Sequence, residues 1–171
     1  RDNSFFTFKS DSNDPTTLSN QSFQIHKLQS ICEDNYGSIW VGTENGLNKY
    51  DKMDSLFKRY HHVVDDSTTL LDNNIWAIFA DDNDFLWITT SKGLNKFDIK
   101  KNRVVSQFKV NPQDPKALKG YQPVSLFKDA NDFLWIGTQD EGLVKFNPSN
   151  GDLKMYKHDP ENVNSLSHDS V

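Results

Sequence analysis

The 171-residue chain is long enough to bury a core, and its twelve Phe and four Trp residues supply the bulk for one. Its mean hydropathy of -0.72 and the lack of a long apolar run predict no membrane span within these residues. The net charge of -5 disfavours nucleic acid as a partner, and the single cysteine permits no internal disulfide.

The first predicted element, residues 1–22, resembles the end of a unit. Its "FFTF" and the following "NDPTTLSNQSF" match the pattern of "LKMYKHDPENVNSLSHDSV" at 153–171. We therefore expect residues 1–22 to contain the end of a preceding unit and a connecting loop.

The next segment, residues 23–70, has the pattern of four short strands. Its "QSIC" run has adjacent apolar residues, which fits a strand covered on both faces. There follow a turn of Asp, Asn and Gly, the strand "IWVGT", a Gly-containing turn, the strand "LNKY", a polar turn at 51–55 and the strand "LFKRY". Gly-bearing turns of this length between β-rich runs predict hairpins, and no helical period of adequate length competes with them.

The same unit recurs over residues 71–118 and 119–166, and residues 167–171 begin a further copy. Each full copy carries an Asp six residues before a Trp and a Gly-Leu pair after it, and the Trp residues recur at spacings of 47 and 48. The repeated residues that we expect to build the scaffold are Trp40, Trp87, Trp135, Gly46, Gly93 and Gly142.

Tandem repeats of about 40–50 residues with four strands each are typical of propeller blades. We therefore predict an all-β fold, a β-propeller segment of about three four-stranded antiparallel blades plus a partial blade. A single blade is apolar on both faces and is stable only between neighbours. The repeated Trp suits a contact between blades, with its N–H reaching a partner. Thr89 stands where the other copies have Gly, and we expect it to be tolerated unless a neighbouring blade packs tightly there.

The stretch "ICEDNYGSIWVGTENGLNKYD" at 31–51 resembles the two-component regulator propeller repeat. In that family, such repeats fill the periplasmic sensor regions of hybrid two-component histidine kinases. The resemblance implies a ligand-sensing region in the periplasm that responds to oligosaccharides from polysaccharide breakdown. We expect these residues to be non-catalytic and to hold no cofactor or metal. It also implies that kinase, receiver and DNA-binding parts, and any contact with the membrane, belong to other parts of the full-length protein.

Two other classes of function stay open at this point. The blades could bind another protein, which would make the chain an interaction scaffold. The third class is a propeller lyase, for which streptogramin lyase is the nearest enzymatic resemblance, but the five His residues are scattered and form no recognisable catalytic pattern.

The acidic turns lack the ligand set of an EF-hand loop, and Asp and Asn are ordinary turn residues. Cys32 aligns with Phe79 and Phe127, which favours an apolar packing role.

Ligand-binding residues are expected where the copies differ. In a propeller, the loops after the second strands and the connections between blades share one face. Trp76 aligns with Gln29 and with Val124 or Ser125, so the repeat itself does not require a Trp there. Its ring would suit the apolar face of a sugar, although it could instead fill a gap between inner strands. The candidate ligand-binding residues are Trp76, Glu44, Lys92, Tyr121, Asp140 and Glu141.

The terminal blades are expected to expose apolar faces that no other blade of this chain covers. Soluble monomers rarely expose large apolar patches. We therefore expect self-association through the blade faces, or marginal stability.

Overall fold

The computed structural model describes residues 7–11, 13–19, 28–110 and 123–171. These residues form three four-stranded antiparallel sheets, in which each strand pairs with the next one along the chain. We call them blade 1 (β1 to β4), blade 2 (β5 to β8) and blade 3 (β9 to β12). The strands are β1 (Leu28–Glu33), β2 (Ile39–Thr43), β3 (Gly46–Asp51), β4 (Leu56–Tyr60), β5 (Ile75–Ala80), β6 (Phe85–Thr90), β7 (Gly93–Asp98), β8 (Arg103–Lys109), β9 (Pro123–Lys128), β10 (Leu134–Thr138), β11 (Leu143–Phe146) and β12 (Leu153–Tyr156).

The first strands of the blades lie closest together. β1 contacts β5, and β5 contacts β9. The hydroxyl oxygen of Ser30 in β1 accepts a hydrogen bond from the backbone N–H of Ile78 in β5, at 2.8 Å. The first strands are therefore the inner ones and the fourth strands the outer ones, which is the arrangement of propeller blades. The prediction of an all-β propeller segment with three four-stranded blades is confirmed. The predicted boundaries at 22/23 and 118/119 lie outside the described residues, and the division into units stays a prediction.

Two apolar cores fill the spaces between the blades. Trp40 of blade 1 packs in the first core with Leu86 of blade 2, and Trp87 of blade 2 packs in the second with Leu134 of blade 3. Trp40 is 0% exposed and Trp87 is 3% exposed. Each of these two Trp side chains thus packs against the following blade.

The first hairpin of each blade is closed by the Asp that precedes the Trp by six residues. In blade 1, Trp40 Nε1 donates a hydrogen bond to Asp34 Oδ2 at 2.7 Å. Asp34 Oδ1 accepts from two backbone N–H groups of the turn, at 2.9 Å each. Asp81 and Asp129 make the same three kinds of bond in blades 2 and 3. A carboxylate suits this position because both of its oxygens accept.

The second hairpin of each blade turns at a glycine in the left-handed region, with φ of 102° at Gly46, 139° at Gly93 and 84° at Gly142. A Cβ on Gly46 would lie 2.5 Å from the carbonyl oxygen of Tyr60, so the position requires glycine for space as well as for φ. In each turn the Thr at the end of the second strand donates its hydroxyl to the glycine carbonyl, at 3.0, 3.0 and 2.7 Å.

Thr89 breaks the Gly-Thr pattern, and the structure accommodates it. A Cβ on its counterpart Gly42 would lie 2.5 Å from the side chain of Ile75 in the next blade. Thr89 is buried, and its hydroxyl oxygen accepts a hydrogen bond from Ala77 N–H at 2.9 Å. Blade 2 thus accepts a side chain that blade 1 has no room for.

Phe8, which precedes blade 1, packs on its free face. The ring centroids of Phe8 and Tyr50 are 4.8 Å apart, and those of Tyr60 and Phe97 at the junction of blades 1 and 2 are 5.1 Å apart. Phe8 therefore lies against blade 1 as Tyr60 lies against blade 2. The assignment of residues 1–22 to a preceding blade stays a prediction, since part of this range is outside the described residues.

Candidate functional site

One edge of the three sheets collects the loops that vary between blades. Strand pairing sets Thr43 opposite Leu28 and Thr90 opposite Ile75, so the turn after each second strand lies beside the start of the inner strand. We call this edge the loop face. Five of the six candidate ligand-binding residues lie on it, whereas Tyr121 is outside the described residues.

Trp76 occupies an irregular position in its strand. The register of β5 against β6 shifts between Ile75 and Ala77, which leaves Trp76 without a partner on β6. Gln29 and Val124 lie at the same irregularity in β1 and β9. Bulges of this kind re-aim a side chain out of the regular alternation. Trp76 and Val124 are therefore variable residues at bulges of inner strands near the loop face.

The indole of Trp76 is partly exposed, but its Nε1 is buried and has no hydrogen-bond partner among the described residues. The indole N–H groups of Trp40, Trp87 and Trp135 all donate to an Asp. A buried donor without an acceptor costs about 1–3 kcal/mol. An acceptor brought by a ligand would remove that cost, whereas gap filling alone leaves it in place.

The segment before Trp76 joins the loop-face turns of two blades. The carbonyl oxygen of Asn73 accepts a hydrogen bond from Gly46 N–H at 2.8 Å. The carboxylate of Asp72 lies 3.4 Å from the ammonium of Lys92 in the corresponding turn of blade 2. Trp76 thus follows a short stretch that is tied to both turns, so a ligand on its ring would lie near residues from two blades.

The charged candidates lie in the three equivalent turns. Glu44 in blade 1 is partly buried and Asp140 in blade 3 is exposed. Glu141 forms an ion pair with Lys157, and Lys92 has the pair with Asp72 described above. The Glu141–Lys157 pair is exposed, and exposed ion pairs contribute about 0–1 kcal/mol, so Glu141 can exchange its partner for a ligand group at little cost.

The connections between blades carry a hydrogen-bonded motif. In the 62–71 loop, His62 Nδ1 lies 2.6 Å from the carbonyl oxygen of Leu70, and Val63 N–H donates to Thr69 Oγ1 at 3.0 Å. A carbonyl oxygen only accepts, so the Nδ1 of His62 carries a proton. The 158–169 loop repeats both bonds, from His158 to Leu166 and from Asp159 to Ser165.

Two titratable side chains near the first hairpins and the blade connections have shifted pKa values. Burial, with a further contribution from Asp34, raises the pKa of Cys32 to about 12, which makes its thiol a poor nucleophile. Burial and then Arg59 hold the pKa of His61 below its ordinary value. Within the described ranges, no three His, Cys, Asp or Glu side chains are grouped to hold a metal ion. Nor do these ranges contain a helix long and apolar enough to cross a membrane.

The fold and the loop face together define the class of protein, a β-propeller segment with a repeated scaffold and variable loops on one face. The sequence model of the family described as two-component regulator propeller matches residues 22–45 and 69–92, each of which includes the Asp and Trp of the first hairpin. These two stretches match the two-component regulator propeller repeat, as the sequence motif indicates.

Solved structures of extracellular domains from B. thetaiotaomicron share this architecture. The extracellular domain of the one-component system BT4673 from B. thetaiotaomicron is 25% identical, with a TM-score of 0.67 over 84% of this chain and 18% of that chain. The extracellular domain of the hybrid two-component system BT3049 from the same organism is 23% identical, with a TM-score of 0.66 over 88% of this chain and 21% of that chain. The chain therefore spans about a fifth of the length of these relatives.

An enzyme with the same architecture is also similar. Virginiamycin B lyase from Staphylococcus aureus is 13% identical, with a TM-score of 0.57 over 80% of this chain and 43% of that chain. Similarity at this level concerns the fold alone. No curated protein matches the chain.

Proposed function

We propose that the chain is part of the periplasmic ligand-sensing region of a hybrid two-component regulator, and that its ligand is an oligosaccharide. The family repeats and the similarity to extracellular domains of bacterial signalling systems support an extracytoplasmic sensor. Histidine kinase activity and gene regulation are also part of the proposal, and they would reside in other segments of the complete protein. These residues themselves would bind and relay but not catalyse.

The environment of Trp76 is the main observation that supports the proposal. Its ring is partly exposed at a bulge near the loop face, and its buried Nε1 lacks a partner among the described residues. A sugar ring has apolar C–H faces that stack on an indole and hydroxyl oxygens that can accept from the N–H. A ligand of this chemistry would stack on the exposed part of the ring, and its hydroxyl oxygen would accept from the N–H once the atoms that cover Nε1 move aside.

The charged residues of the neighbouring turns suit the hydroxyl groups of such a ligand. Glu44, Lys92 and Glu141 supply carboxylate and ammonium groups from three successive blades at one edge of the sheets. A ligand that reached from Trp76 to more than one of these turns would need several linked units. We therefore favour an oligosaccharide over a single sugar.

Substitution of Trp76 tests the proposal. In the complete extracytoplasmic region, Trp76→Ala should abolish oligosaccharide binding, measured first on a glycan array and then by calorimetry with the best hit. The melting temperature should change by less than about 2 °C, because the side chain lies outside the two cores. Trp76→Phe should retain part of the affinity, since it keeps stacking but loses the N–H.

Val124→Ala is the matched control, because Val124 has the same bulge position in blade 3. It should leave binding unchanged. A large drop in melting temperature with binding retained in Trp76→Ala would assign Trp76 to packing instead, and would remove the basis for a sugar site.

We also propose that the chain self-associates through blade faces. Trp135 is partly exposed on blade 3, and Phe127 on the same blade is 58% exposed. Light scattering should show a mass that rises with concentration. A compact monomer at high concentration would contradict this proposal and leave the sensing role untouched.

A further inference from the structure

The connecting loops that lead into blades 1 and 2 pack on the outer strand of the blade that they enter. Residues 11 and 13–19 lie on β4, and the 62–71 loop lies on β8. In each pair, a backbone N–H of the outer strand donates to a loop carbonyl, from Phe57 to Thr16 at 2.9 Å and from Val104 to Thr68 at 2.8 Å. The two loops are equivalent in their internal bonds as well. Asp11 N–H donates to Thr17 Oγ1 at 2.8 Å, and Val63 N–H donates to Thr69 Oγ1 at 3.0 Å.

In blade 1, the side chain of Arg59 joins β4 to its loop. Arg59 Nε donates to the carbonyl oxygen of Thr17 at 2.7 Å. Arg59 Nη2 lies 2.8–3.1 Å from four further acceptors, which are the carbonyl oxygens of Asp14, Asp11 and Leu18 and the hydroxyl of Thr17. A guanidinium presents its donors in a fixed planar fork and has no acceptor, so it matches a cluster of carbonyl oxygens.

In blade 2, Gln107 takes the place of Arg59. Arg59 pairs with Asn48 across blade 1, and Gln107 pairs with Asn95 in the same register across blade 2. Gln107 Nε2 makes one hydrogen bond to the loop, to the carbonyl oxygen of Thr69 at 2.8 Å. A shorter, uncharged side chain thus stands where blade 1 has a guanidinium.

A cleft of about 640 Å³ lies between the 62–71 loop and the edge of blade 2. Gln107, Val63 and Asp66 are among its lining residues. Val63 and Asp66 are the counterparts of Asp11 and Asp14, whose carbonyl oxygens accept hydrogen bonds from Arg59 in blade 1. The loop that binds a guanidinium in blade 1 therefore borders an open cleft in blade 2.

The charges of the cleft are mixed. Asp65 and Asp66 are among its lining residues, and so are Lys92 and Lys109. Lys92 has Asp72 as an ion-pair partner at 3.4 Å, which offsets its charge. The loop side of the cleft thus combines carboxylates with backbone acceptors, which favours a cation there.

We propose that this cleft binds a guanidinium group of an external ligand, either free arginine or the arginine side chain of a polypeptide. In blade 1, the equivalent loop already holds such a group, that of Arg59. The site borders Lys92 but does not include Trp76, and it does not depend on the ligand proposed for that residue.

Titration of the full chain with L-arginine and with the capped peptide acetyl-Gly-Arg-Gly-amide tests the proposal. Calorimetry should detect binding with a dissociation constant of about 1 mM or tighter, and the melting temperature should rise with saturation. Equal binding of both probes would show that an arginine side chain within a polypeptide is enough for binding. Binding of L-arginine alone would indicate the free amino acid as the ligand. The corresponding lysine peptide should bind at least about 10-fold more weakly, because an ammonium lacks the planar fork.

Two variants at one position separate a filled cleft from an open one. Gln107→Arg should place a guanidinium in the cleft, as Arg59 does in blade 1, and abolish binding of the probes. Gln107→Met gives a side chain of similar length that, like Gln, carries no charge, and it should retain binding. Equal binding by the native chain and Gln107→Arg, loss of binding in both variants, or no binding to the native chain would each overturn the proposal.

Arg59→Gln provides a gain of function in the same experiment. It should open the equivalent cleft in blade 1 and raise the number of bound guanidinium groups from one to two. A folded Arg59→Gln variant that still bound one group would contradict the use of blade 1 as the template.

Discussion

Blades 2 and 3 carry the same repeat, but their repeated Trp residues have different surroundings. Trp87 is 3% exposed in a core shared with blade 3, and it packs there with Leu134 and Phe146. Trp135 keeps its bond to the repeated Asp and stacks on Tyr156, with ring centroids 5.7 Å apart, yet it is partly exposed. The hairpin that holds the Trp is thus a property of one blade, whereas the burial of the Trp is a property of two.

The difference separates two kinds of stabilising interaction in a repeat protein. Bonds within a blade, such as the one from Trp135 to Asp129, form wherever the repeat occurs. Contacts between blades form only where a neighbour supplies apolar side chains. Substitutions at equivalent positions in blades 2 and 3 should therefore cost unequal free energy when they remove contacts between blades, and equal free energy when they disturb a turn.

Removal of the buried Trp should have the largest effect. Trp87→Ala should lower the free energy of unfolding by about 3–5 kcal/mol, because it leaves a cavity between blades 2 and 3. Trp135→Ala should cost less than half as much, since no third core surrounds that ring among the described residues. Urea titration followed by circular dichroism measures both. A loss below about 1 kcal/mol for Trp87→Ala would contradict the observed packing.

Turn glycines should show the opposite behaviour, with equal costs in the two blades. A Cβ on Gly93 or on Gly142 would overlap a backbone carbonyl oxygen of its own sheet, that of Phe108 or of Tyr156. Either glycine changed to Ala should cost about 2–4 kcal/mol from strain and overlap together. Gly151→Ala is the control, because Gly151 has φ of 78° but no atom within 4 Å of an added Cβ. It should cost only about 1–2 kcal/mol, and a cost equal to that of Gly142→Ala would show that overlap plays no part.

Asn95 of blade 2 can be replaced by the residue that blade 3 has at the equivalent position. Its Oδ1 accepts a hydrogen bond from Leu71 N–H at 2.9 Å, and its Nδ2 donates to the carbonyl oxygen of Ile88 at 3.2 Å. Blade 3 has Val144 at this position. Asn95→Val should cost about 1–3 kcal/mol, because it leaves the buried Leu71 N–H without its acceptor.

Amide hydrogen exchange of Leu71 measures the local part of this effect. Protection of that amide should fall more than protection of the amides in blade 3. An unchanged Leu71 amide would show that Asn95 does not hold the connecting loop.

The smallest expected effect is a loss of stability in acid. The indole N–H of Trp135 holds the pKa of Asp129 below its ordinary value, and the backbone N–H of Lys101 does the same for Asp98. A carboxyl whose pKa is lower in the folded state stabilises fully above its unfolded pKa of about 4, and this contribution is lost as the pH falls through the folded value. The urea midpoint should therefore be lower at pH 3 than at pH 6. Asp129→Asn should reduce that difference, and an unchanged difference would assign the acid sensitivity to other carboxyls.

Much of the scaffold was predictable because its causes lie close together in the chain. The spacing of Trp40, Trp87 and Trp135 indicated the blades, and the turn glycines indicated the hairpins. The Asp six residues before each Trp was also visible, but sequence spacing alone did not show that the carboxylate binds the indole. The strand pairs had to form before the two groups could be placed on one hairpin.

The candidate site was predictable only in part. The variation between copies singled out Trp76, Lys92 and Glu141, and the register of the strands places all three at the loop face. The unpaired indole N–H of Trp76 and the ion pair of Glu141 with Lys157 could not be read from a pattern, because each depends on which groups from distant residues come within reach.

By itself, the sequence determined the repeat, the four strands of each blade and the glycine turns, since these follow from backbone preferences and local spacing. The tertiary structure alone decided which copy of a repeated residue is buried and which loop has an open cleft. Trp87 and Trp135 are the same residue in the same motif, and Arg59 and Gln107 occupy the same place in the repeat. Their differences arise from the presence of a neighbouring blade and from the reach of one side chain, which are properties of the packed assembly.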